Sequence, residues 1–149
     1  MVFSGPAPVA ASAIVSTQTT SAQEHTVSQA SIAAYNKANE LAEQGNIDAA
    51  IAAFESAISL DERNADAYYN LGYWLNAQNQ PVEAENAYRA ALRLMPFDSQ
   101  SHYNLGLILA QQGKRTEAEV MLRRSLLLNP ENAAAESYLQ YLLAEPAAL

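Results

Sequence analysis

The stretch ADAYYNLGYWLNAQNQPVEAENAYRAALRLMPFD, residues 65–98, decides how this chain is read, because the sequence on either side repeats it at an offset of 34 residues. Tyr69-Asn70 is preceded by Tyr35-Asn36 and followed by Tyr103-Asn104. Leu75 shares its register with Leu41 and Leu109, Ala84 shares its own with Ala50 and Ala118, and Leu71-Gly72 returns as Leu105-Gly106. A fixed period of this kind marks stacked supersecondary units, none of which can bury its apolar face alone. Three units result: 31–64, 65–98 and 99–132.

Each unit reads as two helices joined by a tight turn. Gly45, Asn79 and Gly113 share one repeat position and are residue types that enter the left-handed conformation ending a helix. The second helix is expected to begin near Asp48, Pro81 or Thr116, with Thr116 and Glu119 at capping-box spacing. Pro96 and Pro130 close units two and three, while Asn64, Asp98 and Asn132 are placed to cap the helices that follow. Small residues explain how the helices pair: Ala38, Gly72 and Gly106 on the first, with Ala50, Ala84 and Ala118 on the second, let the backbones approach closely. Phe54, Tyr88 and Leu122 are among the larger residues that fill the space around each crossing.

With these residues in view, 31–144 resembles a tetratricopeptide repeat array. Unit two carries nearly the whole family pattern in Tyr68, Leu71-Gly72, Leu75, Ala84, Tyr88, Ala91 and Pro96. Unit three departs at His102 and Ser125, and unit one at Lys37 and Glu62. The resemblance implies an all-α fold, a right-handed α-α superhelix of three repeats, with 133–144 as a C-terminal capping helix and 145–149 as a tail. Glu136 and Gln140 make one face of that last helix polar, whereas Tyr138, Leu139 and Leu142 stay apolar.

In arrays of this family the first helices line a concave face, and positions two, five, six and nine of each repeat point into it. Here these are Ile32, Tyr35, Asn36 and Asn39, then Asp66, Tyr69, Asn70 and Tyr73, then Gln100, Tyr103, Asn104 and Leu107. The resemblance therefore implies peptide contact by Tyr35, Asn36, Asn39, Tyr69, Asn70, Tyr73, Tyr103 and Asn104. An amide offers one acceptor and two donors, so a row of Asn can pair with an extended backbone, and Tyr adds apolar area with a polar tip. Asn36, Asn70 and Asn104 match by register the asparagine ladder of repeats attached to protein O-linked N-acetylglucosamine transferases; the same wording also serves as plain scaffold in the family. Replacing Asn70 and Asn104 with Ala is expected to weaken a bound peptide and leave the fold intact. Chaperone-binding members of the family grip a terminal carboxylate with cations, but Tyr35, Gln100 and Asn104 stand where those cations would be. A carboxylate left unpaired out of water is costly, which argues against that clamp.

Composition bounds the remaining possibilities. Eight basic against 16 acidic side chains give a formal charge of −8, which disfavours nucleic acid as a partner. The charge is uneven: residues 1–66 hold eight acids and two bases, 67–130 five and six, 131–149 three and none. Lys114-Arg115 and Arg123-Arg124 read as solvated helix faces or as a docking patch for an acidic partner. With no cysteine, thiolate metal sites and disulfides are excluded, and no apolar run reaches the roughly 18–20 residues of a membrane span. His25 lies in the amino-terminal stretch and His102 at a packing position, so no metal, cofactor or catalytic site is expected. Residues 1–30 read either as a flexible tail or as an export signal ending at Thr20-Ser21-Ala22, although no Lys or Arg precedes Lys37. Compartment follows that choice: cytoplasmic in the first case, exported in the second. The functional expectation is a scaffold or adaptor that binds a peptide or partner protein. The alternatives are a self-associating scaffold and a non-catalytic targeting subunit of an enzyme complex.

Overall fold

The computed structural model describes residues 26–145, and among these the chain forms seven helices and no strand. The segment read as tail or export signal up to residue 25, His25 with it, and residues 146–149 lie outside the described residues. The helices are α1 (Gln29–Glu43), α2 (Ile47–Leu60), α3 (Ala65–Ala77), α4 (Pro81–Leu94), α5 (Ser99–Gln111), α6 (Arg115–Leu128) and α7 (Ala133–Ala144). They pair as hairpins, α1 with α2, α3 with α4 and α5 with α6; each hairpin stacks on the next and α7 closes on α6.

The turns within hairpins share one geometry. Gly45, Asn79 and Gly113 take φ of 78°, 58° and 75°. In each, the N–H of the left-handed residue bonds the carbonyl three residues back, at Ala42, Asn76 or Ala110, and the next N–H reaches Leu41, Leu75 or Leu109 at 2.9 Å. This is the Schellman pattern, and it explains why the leucines share the 34-residue register with the turn. The first helices are capped by side chains instead: Asn64 accepts from Ala67 N, Asp98 from Ser101 N and Asn132 from Ala135 N. The expected capping box at Thr116 does not form. Helix α6 starts one residue earlier, Lys114 is the cap residue without a side-chain bond, and Glu119 pairs with Arg123 at 2.8 Å. The Schellman turn has already set the chain's direction there, so no hydroxyl cap is required.

Helix α1 begins at Gln29, inside the stretch expected to be tail. Ser28 caps it by accepting from Ser31 N, and the Ser28 N–H donates to Asp61 Oδ2 at 2.7 Å. Hydrogen bonds from Arg63 and from the Ser28 backbone hold the Asp61 carboxyl well below the usual carboxylate range.

The core follows the small-residue crossings. Ala38, Ala50, Ala84 and Ala118 are fully buried, as are Phe54, Leu109 and Leu122. A Cβ placed on Gly72 would stand 2.9 Å from the Tyr88 ring, and one on Gly106 would stand 2.9 Å from Leu122 Cγ. Rings meet across the hairpins in the same register, Tyr35 with Phe54 at 5.8 Å and Tyr69 with Tyr88 at 5.5 Å, the latter edge to face.

Charged joints also tie neighbours together. Glu85 on α4 accepts from Arg89, from Gln112 and, at 2.7 Å, from Lys114 in the turn of the next hairpin. Arg115 donates to the carbonyls of Leu142 and Glu145, placing a cation at the carboxyl end of α7. Lys114 and Arg115 are therefore structural joints rather than a solvated face.

Two outcomes follow. Gly72→Ala gains about 1 kcal/mol of helix propensity but forces the Tyr88 ring aside at a cost of about 1–3 kcal/mol, so urea denaturation should show net destabilisation. Burial raises the pKa of Glu85, but the bonds from Lys114, Gln112 and Arg89 outweigh it and hold the group down to about 2, from an ordinary 4.5. A folded-state pKa below the unfolded one means the stabilisation is complete above pH 4.5 and is lost as pH falls towards 2. Glu85→Gln should flatten that part of the stability profile in acid titrations followed by circular dichroism.

Candidate functional site

The first helices carry the concave residues, and the structure links them in a ladder. Asn70 Nδ2 donates to the Tyr35 hydroxyl at 3.0 Å and to Asn39 Oδ1 at 3.3 Å. One repeat later Asn104 Nδ2 donates to the Tyr69 hydroxyl at 3.1 Å, and Gln100 Nε2 donates to Asn104 Oδ1 at 3.4 Å. Each Asn thus bonds the Tyr of the preceding unit, 35 positions away. Burial pushes the Tyr69 phenol up, against the opposing effect of the Asn104 bond, so it stays a neutral hydroxyl at pH 7 and can accept that bond.

The ladder ends where the register ends. Asn36 is exposed on the first unit, with no earlier Tyr in the described residues to meet. At the far end the position following Asn104 is Tyr138, which has no amide to offer Tyr103. These bonds revise the expectation that Asn70 and Asn104 are dispensable to the fold. Their donors already join consecutive repeats: Asn70 commits both N–H groups, to Tyr35 and to Asn39, so what it offers another molecule is its carbonyl oxygen.

Beside the ladder lies a groove of about 540 Å³ lined by Asn39, Ala42, Glu43, Tyr69, Asn70, Tyr73 and Trp74. Tyr73 is half exposed, and its ring stands edge-on to Trp74 at 5.0 Å. The groove brings together Asn39, Tyr69, Asn70 and Tyr73 from the expected set; Tyr35 touches it only through Asn70, and Asn36, Tyr103 and Asn104 lie outside it. Sequence reasoning missed Ala42, Glu43 and Trp74. The same helical period extended one turn beyond Asn39 reaches Ala42 and Glu43, and that signal was present. Among the described residues no cluster of His, Cys, Asp or Glu is arranged to hold a metal, and no helix is long and apolar enough to cross a membrane.

The sequence profile of the tetratricopeptide repeat matches residues 35–99 and, overlapping, 75–124. The chain belongs to the tetratricopeptide-repeat family. Among curated proteins, none matches it significantly by sequence. Solved tetratricopeptide-repeat structures superpose well. The first such domain of Spaghetti (RPAP3), bound to the HSP90 peptide SRMEEVD, gives a TM-score of 0.75 at 24% identity, covering 80% of this chain and 94% of its own. The second domain of human RPAP3, with the HSP70 peptide SGPTIEEVD, gives 0.73 at 24% identity, covering 77% and 96%. The Yersinia enterocolitica type III secretion chaperone SycD, with a peptide of the translocator YopD, gives 0.69 at 20% identity, covering 74% and 89%. At these identities the likeness is one of fold.

As a tetratricopeptide-repeat protein whose ladder joins its units, the chain should lose stability when the ladder is cut. Asn104→Ala is expected to cost about 0.5–1.5 kcal/mol by urea denaturation. In a double-mutant cycle with Tyr69→Phe, the two changes should cost less together than the sum of each alone.

Proposed function

We propose that this protein is an interaction module that holds an extended segment of a partner protein along its concave groove, and that it is not an enzyme. Its units run 31–64, 65–98 and 99–132, closed by 133–144. Supporting the reading, three of the tetratricopeptide-repeat structures that share its fold hold bound peptides. The Tyr and Asn positions Tyr35, Asn36, Asn39, Tyr69, Asn70, Tyr73, Tyr103 and Asn104 form the contact face in this reading, with Trp74 and Glu43 added.

The groove's chemistry selects among peptides, and this is the observation that carries the proposal furthest. Three rings, Tyr69, Tyr73 and Trp74, stand with the Glu43 carboxylate and no Lys or Arg in one depression. The RPAP3 domains are solved with peptides ending in EEVD. A segment of that charge would meet Glu43 here and leave its carboxylates unpaired. A Lys or Arg side chain instead gains the ring faces and the Glu43 charge. The preferred partner segment is therefore neutral or basic, with backbone amides that pair with Asn39 and Asn70.

Trp74 is the sole tryptophan of the chain, so its fluorescence reports on the groove directly. Titration with a peptide array should show emission changes for segments carrying Lys or Arg. Tyr73→Ala should weaken binding about 10-fold or more while helicity is retained, because the ring is half exposed in the free chain. Equal binding of EEVD-ended peptides, or affinity indifferent to both Tyr73→Ala and Glu43→Gln, would reject this groove as the site.

A further inference from the structure

On the face formed by the second helices, away from the groove, α4, α6 and the start of α5 enclose two adjoining hollows of about 320 and 250 Å³ that share Pro96, His102 and Arg124. Leu92, Leu105 and Met121 line the first, with Arg93 at its edge. Phe97, Leu127 and Leu128 line the second.

The repeat scaffold does not require these residues. Phe97 and Leu127 are 82% and 81% exposed, far more than packing would leave them. The positions equivalent to Phe97 hold Arg63 and Glu131 in the other units; those equivalent to Leu127 hold Ser59 and Arg93; those equivalent to Arg124 hold Ser56 and Ala90. Unit-specific apolar and cationic side chains therefore meet at one place in a fold that tolerates polar or small residues there.

The charges are also uncommitted. Arg89 is taken by Glu85 and Glu117, and Arg123 by Glu119, whereas Arg93 and Arg124 form no ion pair among the described residues. His102, 5% exposed, has its Nε2 3.0 Å from the Pro96 carbonyl. A carbonyl only accepts, so Nε2 carries the proton and the buried Nδ1 presents a lone pair that no donor meets.

We propose that this cleft docks a partner segment in which acidic side chains flank bulky apolar ones. The apolar side chains enter the hollow at Phe97 and Leu127, and the carboxylates pair with Arg93 and Arg124. The two arginines stand on separate helices, α4 and α6, beside apolar hollows, so the occupant needs more than one carboxylate together with apolar side chains, which a peptide segment carries and a phosphate or a single fatty-acid head group does not. On a chain of net charge −8, two free arginines beside an apolar hollow attract acidic segments locally, where the overall charge repels them. The protein then binds two segments of opposite character on opposite faces, and this second site stands whether or not the concave reading holds.

The test uses the full chain labelled with ¹⁵N and titrated with a synthetic peptide that alternates Glu with Leu and Phe. A control peptide has every Glu replaced by Lys. The acidic peptide is expected to shift the amide signals of Arg93, Phe97, Arg124 and Leu127 while leaving Tyr73 and Trp74 in place. Added salt should weaken it, and Arg93→Glu with Arg124→Glu should raise its dissociation constant about 10-fold or more at unchanged helicity. Equal binding of the lysine peptide, or shifts confined to the concave groove, would overturn the proposal. Concentration-dependent shifts at the same residues without peptide would also overturn it, by making a second copy of the chain the occupant.

Discussion

Where the two helices of a hairpin cross, the space admits a backbone, one ring or branched side chain, and nothing further. In unit two the Tyr88 ring occupies the volume that a Cβ on Gly72 would need, and in unit three Leu122 does the same at Gly106. The alanines across the crossing, Ala50, Ala84 and Ala118, have no exposure at all. Close approach brings Tyr35 and Tyr69 onto Phe54 and Tyr88, and so leaves one edge of each first helix facing the concave side. The groove is a consequence of how tightly these crossings close.

Between hairpins the connections are more polar. Asn70 and Asn104 reach back to Tyr35 and Tyr69, Asn64 reaches Ser31, and Glu85 gathers Lys114, Gln112 and Arg89. In a solenoid, stability is approximately a sum of repeat and interface terms, so such joints set both the rigidity of the groove and the angle between its walls. The concave amides consequently serve the fold and, in the proposed function, a ligand as well. Residues with two duties of this kind are hard to assign from mutants unless stability and affinity are measured side by side.

The hairpins, their left-handed turns and the caps at Asn64, Asp98 and Asn132 were legible in the sequence, because each depends on residue types within a few positions of one another. The Asn ladder was legible as a row of residues but not as a set of bonds, since each bond spans 35 positions and depends on how one hairpin settles on the next. Ser28 as the first cap was hidden for the same reason: its anchor, Asp61, lies 33 residues away. Thr116 and Glu119 had the spacing of a capping box, yet the backbone bonds of the preceding turn made it redundant. The cleft at His102 was legible only in Arg124, one of a basic pair that reads as a solvated face or a docking patch; Phe97 and Leu127 look like ordinary surface residues until packing brings them around one buried ring.

The central claim is that a 34-residue register carries both the hydrophobic crossing and the polar joints from each hairpin to the next. Its most direct test is to insert a second copy of residues 65–98 after Asp98 and compare urea midpoints with a chain whose inserted copy lacks its last two residues. Continuous register predicts a higher midpoint for the full copy and a lower one for the shortened copy. Equal midpoints for the two insertions would contradict the account.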